Sequence, residues 1–180
     1  MARALVVVDV QRGFDDPSWG RRDEVDAEAN IARLIGAWQD RGDPIVVVRH
    51  DSVQDGSPLR PGQPGNDLVD AVAAVEPALL VIKSVNSCFY GEPDLHAWLQ
   101  GAGLGELAIC GITTSHCCET TARMAGNLGY DVRFVLDATV SFDRPAVGGG
   151  VVTAEEMRRA TAAALDGEFA EVATTAEALR

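Results

Sequence analysis

Leu5-Val6-Val7-Val8-Asp9 is a run of four branched apolar residues closed by a carboxylate. A strand with one wet face alternates apolar with polar, whereas an unbroken run suits a strand buried on both faces of a parallel sheet. The same pattern recurs along the chain. Residues 45–48 form a second run followed by Arg49-His50, residues 79–82 a third followed by Lys83, and residues 107–110 a fourth followed by Gly111. Residues 132–136, interrupted by Arg133 and followed by Asp137, make a fifth, and residues 169–173 a weaker sixth.

Helical patterns separate these runs. Residues 24–40 place Val25, Ile31, Leu34, Ile35 and Trp38 at helical spacing before Arg41-Gly42. Residues 95–99 form a short segment ended by glycine. Residues 116–128 carry Cys118, Ala122, Ala125 and Leu128 with Gly129 as the stop signal, and residues 153–165 open on Thr-Ala-Glu-Glu, a capping-box pattern. Residues 51–66, rich in Pro, Gly and Ser, read as loop. Trp38 and Trp98 fall in helical patterns as core or subunit-interface residues, and His96 reads as a solvent-facing helix residue. Alternating strands and helices predict a three-layer α/β/α fold, with a mostly parallel Rossmann-like sheet of about six strands. Residues 1–180 are expected to form a single domain.

Composition narrows the function classes. The net charge is −12 at pH 7 and the arginines are scattered, which argues against nucleic acid and anionic membranes as partners. No apolar run approaches bilayer length, and the first run is too short for a signal-peptide core. A cytoplasmic protein with small-molecule substrates is therefore expected. Cys88, Cys110, Cys117 and Cys118 lack paired C-x-x-C knuckles and read as free thiols.

Ligands of such sheets sit at the carboxyl ends of the strands. Asp9, His50, Lys83 and the turn of residues 111–117 all fall there. Cys117 lies between a strand and a helix, where orphan N–H groups favour a thiolate and lower its pKa. Asp9 is placed to act as a base and Lys83 to hold that carboxylate ionised.

These segments resemble the isochorismatase-like cysteine hydrolases, which include nicotinamidases, N-carbamoylsarcosine amidases and ureidoacrylate or maleamate amidohydrolases. Residues 5–14 are similar to the family's opening D-x-Q-x-x-F segment, Lys83 stands six residues before Phe89 as in its S-x-F region, and Cys110-Gly111-Ile112-Thr113-Thr114-Ser115-His116-Cys117 is similar to its C-G-V-x-T-x-x-C turn. Thr121-Ala122-Arg123 and Leu128-Gly129-Tyr130 follow in the family's order. The resemblance implies Cys117 as nucleophile with Asp9 and Lys83, an Ile112–Thr113 cis peptide, and an oxyanion hole formed by the N–H groups of Thr113 and Cys117. It also implies a thioester intermediate on the way to cleaving a C–N bond, and a homodimer or homotetramer.

Phe14, Trp19, Asn86, Phe89 and His116 lie near the same edge and are expected to contact substrate. Cys118, where the family commonly has valine, should point about 100° away from its neighbour and pack as a small apolar residue. The family's nicotinamidases carry Asp-x-His plus a further His after the second strand. This chain has His50-Asp51-Ser52 and no other histidine before His96, so no metal and no cofactor are expected, and a true nicotinamidase is disfavoured. Isochorismatase activity itself, which does not use the cysteine, is also disfavoured. His116-Cys117-x5-Arg123 fits the cysteine-phosphatase pattern, but its loop has no glycine and carries Glu119. A Cys117–Cys118 redox pair and a non-catalytic binding protein of the same fold complete the alternatives.

Overall fold

Leu5 and Val7 face one buried core while Ala4, Val6 and Val8 face a second, which is why the opening run has no polar alternation. The computed structural model describes residues 3–23 and 26–180. Its strands are β1 (Arg3–Val8), β2 (Ile45–His50), β3 (Leu79–Lys83), β4 (Glu106–Ile112), β5 (Asp131–Val140), β6 (Arg144–Pro145), β7 (Val151–Val152) and β8 (Glu171–Ala173). Six of them form one sheet in the order β3-β2-β1-β4-β5-β8, with every neighbouring pair parallel. The pair β6-β7 is a separate antiparallel hairpin, whose two-residue strands leave no periodic pattern in the sequence.

The helices are α1 (Ala27–Arg41), α2 (Asp70–Ala73), α3 (Leu95–Gly101), α4 (Glu119–Asn127), α5 (Ala154–Leu165) and α6 (Thr175–Ala178). Residues of α1, α2 and α6 cover one face of the sheet, and those of α3, α4 and α5 the other. The chain moves outward from β1 to β3 with helices on the first face, then crosses back to β4 and continues outward on the second. Right-handed crossovers require that change of face. The reversal leaves a crevice between β1 and β4 at their carboxyl ends, the usual ligand position in such sheets.

Local chemistry agrees with most of the predicted boundaries. The helix expected over residues 24–40 is α1, although Glu24 and Val25 lie outside the described residues. Trp38 is buried in the core and donates its indole N–H to the Arg3 carbonyl at 2.7 Å. Thr153 and Glu156 close the expected capping box at the start of α5, a device worth about 1 kcal/mol. The strands extend further than the apolar runs: His50 and Lys83 are the last residues of β2 and β3, Gly111 lies inside β4, and β5 continues through Asp137 to Val140. His96 is a correction. It is half-buried, with Nδ1 2.7 Å from the Tyr130 hydroxyl. Among the described residues no helix is long and apolar enough to cross a membrane.

Gly111 is the residue that the crevice cannot replace. It pairs with Val8 of β1, lies at a register shift between β4 and β5, and has φ 132°. A Cβ there would lie 2.0 Å from the Val8 carbonyl oxygen, a backbone atom with no freedom to move aside. Gly111→Ala is therefore expected to cost about 4 kcal/mol or more, read as a lowered urea midpoint or loss of folded protein.

Candidate active site

Asp9 leaves β1 in the left-handed region, with φ 51°, while its N–H still bonds the Val48 carbonyl at 3.0 Å. This turn aims a carboxylate off the strand path into the crevice. Gln11 locks it in place. Its amide oxygen accepts from the N–H of His50 at 2.8 Å, and its amide nitrogen donates to the carbonyls of His50 at 3.0 Å and Asn66 at 2.8 Å. The exit of β1, the end of β2 and the following loop are thus joined through one buried side chain, which gives the Asp-x-Gln spacing a physical reason.

Lys83 lies opposite His50 in the β2–β3 register. Its ammonium is 2.6 Å from Asp9 Oδ2, 3.1 Å from His50 Nδ1 and 3.4 Å from Cys117 Sγ. Burial alone would lower this lysine's pKa. The Asp9 carboxylate and the nearby sulfur overcome that and hold it above its ordinary value, so the ammonium stays charged. Burial pushes the Asp9 carboxyl upward, with Lys83 pulling the other way. The other oxygen of Asp9, Oδ1, is buried and has no hydrogen-bond partner among the described residues.

Cys117 sits in a wide π-type turn (Thr114–Cys118) that precedes α4. The Thr113 carbonyl accepts from the N–H groups of His116 (3.3 Å) and Cys118 (3.2 Å), skipping that of Cys117 between them. The turn is pinned to β5 by Thr114, whose hydroxyl donates to that of Thr139 at 2.9 Å. The Ile112–Thr113 peptide is cis. The expected acidity of the thiol is corrected here. Burial first, and the Asp9 carboxylate second, push Cys117 well above the ordinary thiol value, so the helix-start effect is outweighed. Cys118 is fully buried in the second core, as expected of a small apolar side chain.

A cavity of about 460 Å³ opens above these groups. Phe14, Trp19, Asn86, Thr113 and His116 line it, together with Asp9 and Cys117. Phe14 and Trp19 form an aromatic wall with ring centroids 4.8 Å apart. Asn86 reaches the sulfur, with Oδ1 3.6 Å from Cys117 Sγ. Phe89 does not belong to this wall. Ser87 caps a tight turn (Cys88–Tyr90) that carries Phe89 away to stack on Tyr130 at 5.9 Å. His50, at the strand end where the sequence places it, and Arg144 also line the cavity. His50 was visible at the strand end, whereas Arg144 belongs to the unread hairpin and carried no signal.

One alternative loses its geometry. Arg123, which a phosphatase would aim at the anion, instead bonds Glu119 at 2.8 Å and lies over the Phe169 ring. Asp9, His50 and Cys117 each bring one ligand-type atom within 4.8 Å of the others, but the Lys83 ammonium already stands within reach of all three, where a metal cation would have to sit.

His50 and His116 are both held below the ordinary histidine value of 6.5, by burial first and then by the neighbouring charges of Lys83 and Arg144. Above that pH both states are neutral and the shift has no effect. As pH falls through about 6.5, the unfolded histidines take protons that the folded ones refuse, so stability declines until the lowered folded values are passed. The urea midpoint is expected to fall between about pH 7 and pH 5 for this reason, and a His50→Gln/His116→Gln double variant to lose that part of the fall.

Comparison with known proteins identifies the family. The profile of the Isochorismatase domain matches residues 3–177. The isochorismatase family protein YrdC of Bacillus subtilis is 35% identical over 173 residues, covering 96% of this chain and 92% of YrdC. A solved structure from Chromobacterium violaceum, described as a hydrolase of the isochorismatase family, superposes with a TM-score of 0.93 at 39% identity, covering 99% of this chain and 92% of its own. Nicotinamidase 3 of Arabidopsis thaliana is 29% identical over 153 residues, 78% of this chain and 74% of that protein. With the family's domain spanning nearly the whole chain and its fold reproduced throughout, this protein belongs to the isochorismatase family of hydrolases.

Proposed function

We propose that this hydrolase cleaves a C–N bond of a small amide, ureido or carbamoyl compound, with Cys117 as nucleophile and a thioester acyl-enzyme as intermediate. The observation that carries this reading is the Lys83 ammonium held between Asp9 Oδ2 at 2.6 Å and Cys117 Sγ at 3.4 Å beneath the cavity. A neutral buried thiol needs a base, and Asp9, raised by burial and with Oδ1 free of partners, is a stronger one than an exposed carboxylate.

In this scheme Asp9 takes the thiol proton and the sulfur attacks the substrate carbonyl carbon. The oxyanion is held by the N–H groups of Thr113 and Cys117, the second being the one the turn leaves unused by Thr113. Asp9 then delivers its proton to the departing nitrogen as the C–N bond breaks and the thioester remains. Water, losing a proton to Asp9, attacks the thioester and releases the acid, and that proton returns to the sulfur. Phe14 and Trp19 supply an apolar wall, while Asn86, His116 and the Thr113 hydroxyl, which has no partner among the described residues, orient polar groups of the substrate. The amidase relative among the matched proteins favours a C–N bond over other bonds. Four free thiols suit a reducing, cytoplasmic setting.

Ammonia release from a panel of small primary amides and ureido compounds tests the reading. Cys117→Ala is expected to lower kcat by at least about 10³-fold, and Cys118→Ala to leave it within several-fold of the original. Persistent turnover in the first variant with loss in the second would assign the chemistry to the other sulfur.

A further inference from the structure

His50 lines the cavity and touches the Lys83 ammonium, yet the bond-breaking scheme gives it no part. Its place is set through its backbone. As the last residue of β2 it lies opposite Lys83 in the β2–β3 register. Its N–H donates to Gln11 Oε1 at 2.8 Å, and its carbonyl accepts from Gln11 Nε2 and from Asn66 Nδ2, each at 3.0 Å. The adjacent carboxylate, Asp51, is occupied elsewhere. It accepts from Arg49 at 2.8 Å and 3.0 Å and from Asn66 at 3.0 Å. The half-buried imidazole instead meets Lys83, with Nδ1 3.1 Å from the ammonium nitrogen.

That contact fixes where the imidazole proton sits. An ammonium group has three donors and no acceptor, so the atom facing it must offer a lone pair. Burial alone would discharge Lys83, but the Asp9 carboxylate holds it charged. Nδ1 is therefore an acceptor, and the proton of the neutral ring is on Nε2. Burial first, and the Lys83 charge second, keep the ring below the ordinary histidine value, so it is neutral at pH 7. The three donors of Lys83 are then each matched, by Asp9 Oδ2 at 2.6 Å, His50 Nδ1 at 3.1 Å and Cys117 Sγ at 3.4 Å. Nε2, by contrast, has no hydrogen-bond partner among the described residues. A donor at a cavity wall loses its water when a ligand enters, and the loss is made good only if the ligand brings an acceptor.

We infer that His50 binds substrate as a hydrogen-bond donor through Nε2–H, while its Nδ1 positions the Lys83 ammonium between Asp9 and Cys117. In the proposed reaction the scissile oxygen goes to the N–H groups of Thr113 and Cys117, which leaves the His50 donor for a second acceptor atom of the substrate. A neutral N–H recognises a lone pair and does not require a charge, so a further carbonyl, ureido or ether oxygen suffices. His50 is not a proton-transfer base here, because a second ring proton would set two charged N–H donors 3.1 Å apart. Its contribution is to substrate binding and to the aim of Lys83. The substrate contact rests on the C–N hydrolase reading, but the tautomer and the contact with Lys83 do not.

Nitrogen NMR of the full chain carrying isotope-labelled histidine reads the tautomer without any turnover, the His50 signals being those lost in His50→Asn. A neutral ring protonated at Nε2 is expected near pH 7, and a ring protonated at Nδ1 or at both nitrogens overturns the inference. Two variants then separate the two nitrogens on a compound from the ammonia-release panel. The shorter Asn amide reaches the place of Nδ1, and the longer Gln amide that of Nε2. His50→Asn keeps an acceptor for Lys83 and loses the donor, so KM is expected to rise about 10-fold with kcat changed by less than about 3-fold. His50→Gln keeps a donor and loses the acceptor, so kcat is expected to fall about 10-fold with KM changed by less than about 3-fold. An unaltered KM in His50→Asn, or the same losses in both variants, overturns substrate binding through Nε2 and leaves the hydrolase reading intact. If no compound of the panel releases ammonia, the C–N reading fails alone, and Cys117 alkylation by iodoacetamide reads the contact with Lys83. Alkylation slowed in His50→Gln and kept in His50→Asn upholds the positioning role, and equal rates overturn it.

Discussion

The Lys83–Asp9 pair joins two charges whose side chains are both fully buried, 2.6 Å apart. Either charge alone would carry a desolvation penalty of several kcal/mol, so each makes the other's position tenable. The requirement propagates through the fold. Lys83 ends β3, Asp9 follows β1, and β2 lies between them, so the charges must meet across two strand spacings, about 10 Å. The long lysine stem covers part of that span. The remainder is closed by the left-handed backbone of Asp9, which swings the carboxylate off the line of β1. Gln11 and Asn66 hold the ends of β1 and β2 where this geometry needs them, both bonding the His50 carbonyl at 3.0 Å.

The thiol arrives from the opposite side of β1. Close contact between Gly111 and Val8 lets β4 lie tightly against β1, and the wide turn after it brings Cys117 back over the strand ends. The groups proposed to react therefore sit at strand termini or in the turn directly after one, with little freedom to shift. The walls have a different origin. Trp19 belongs to the turn after β1, Ser52 to Leu59 to the loop after β2, and Arg144 to a hairpin of two-residue strands. Such segments tolerate sequence change more readily than sheet edges do. The architecture thus places the groups proposed to break the bond at the ends of the sheet, and the walls that would select the substrate on loops.

This separation also explains what could be read from the sequence. The strands were legible because both faces are buried, which turns a weak alternating signal into unbroken apolar runs. Asp9 and Lys83 were legible because each directly closes or follows such a run, and Cys117 because it stands between a strand and a helix. His50 was seen at the edge, yet its contact with Lys83 depends on the β2–β3 register, which no local pattern encodes. Arg144 was missed because strands of two residues have no periodicity. Phe89 was assigned to the wall from its nearness to Lys83 in sequence, and a capped turn reversed its direction. The acidity of Cys117 was misjudged for a related reason: the local helix-start rule is outweighed by burial and by a carboxylate more than a hundred residues away in the chain.

A thiol with a raised pKa is compatible with a nucleophilic role once the proton's destination is considered. In the proposed reaction the proton moves from sulfur to the Asp9 carboxylate, so the buried site keeps the same total charge. The negative charge passes from one neighbour of the Lys83 ammonium to another, at 2.6 Å and 3.4 Å from the same nitrogen. Because burial raises both pKa values, the raised carboxyl offsets part of the raised thiol, and the free-energy gap between the two protonation states is smaller than the thiol shift alone would make it. Excluding water when substrate fills the cavity strengthens the attraction to Lys83 in both states and does not favour the carboxylate by hydrating it. The thiol therefore need not be ionised in advance. It needs a fixed cation between two possible sites for one negative charge, and the end of β3 holds that cation in place.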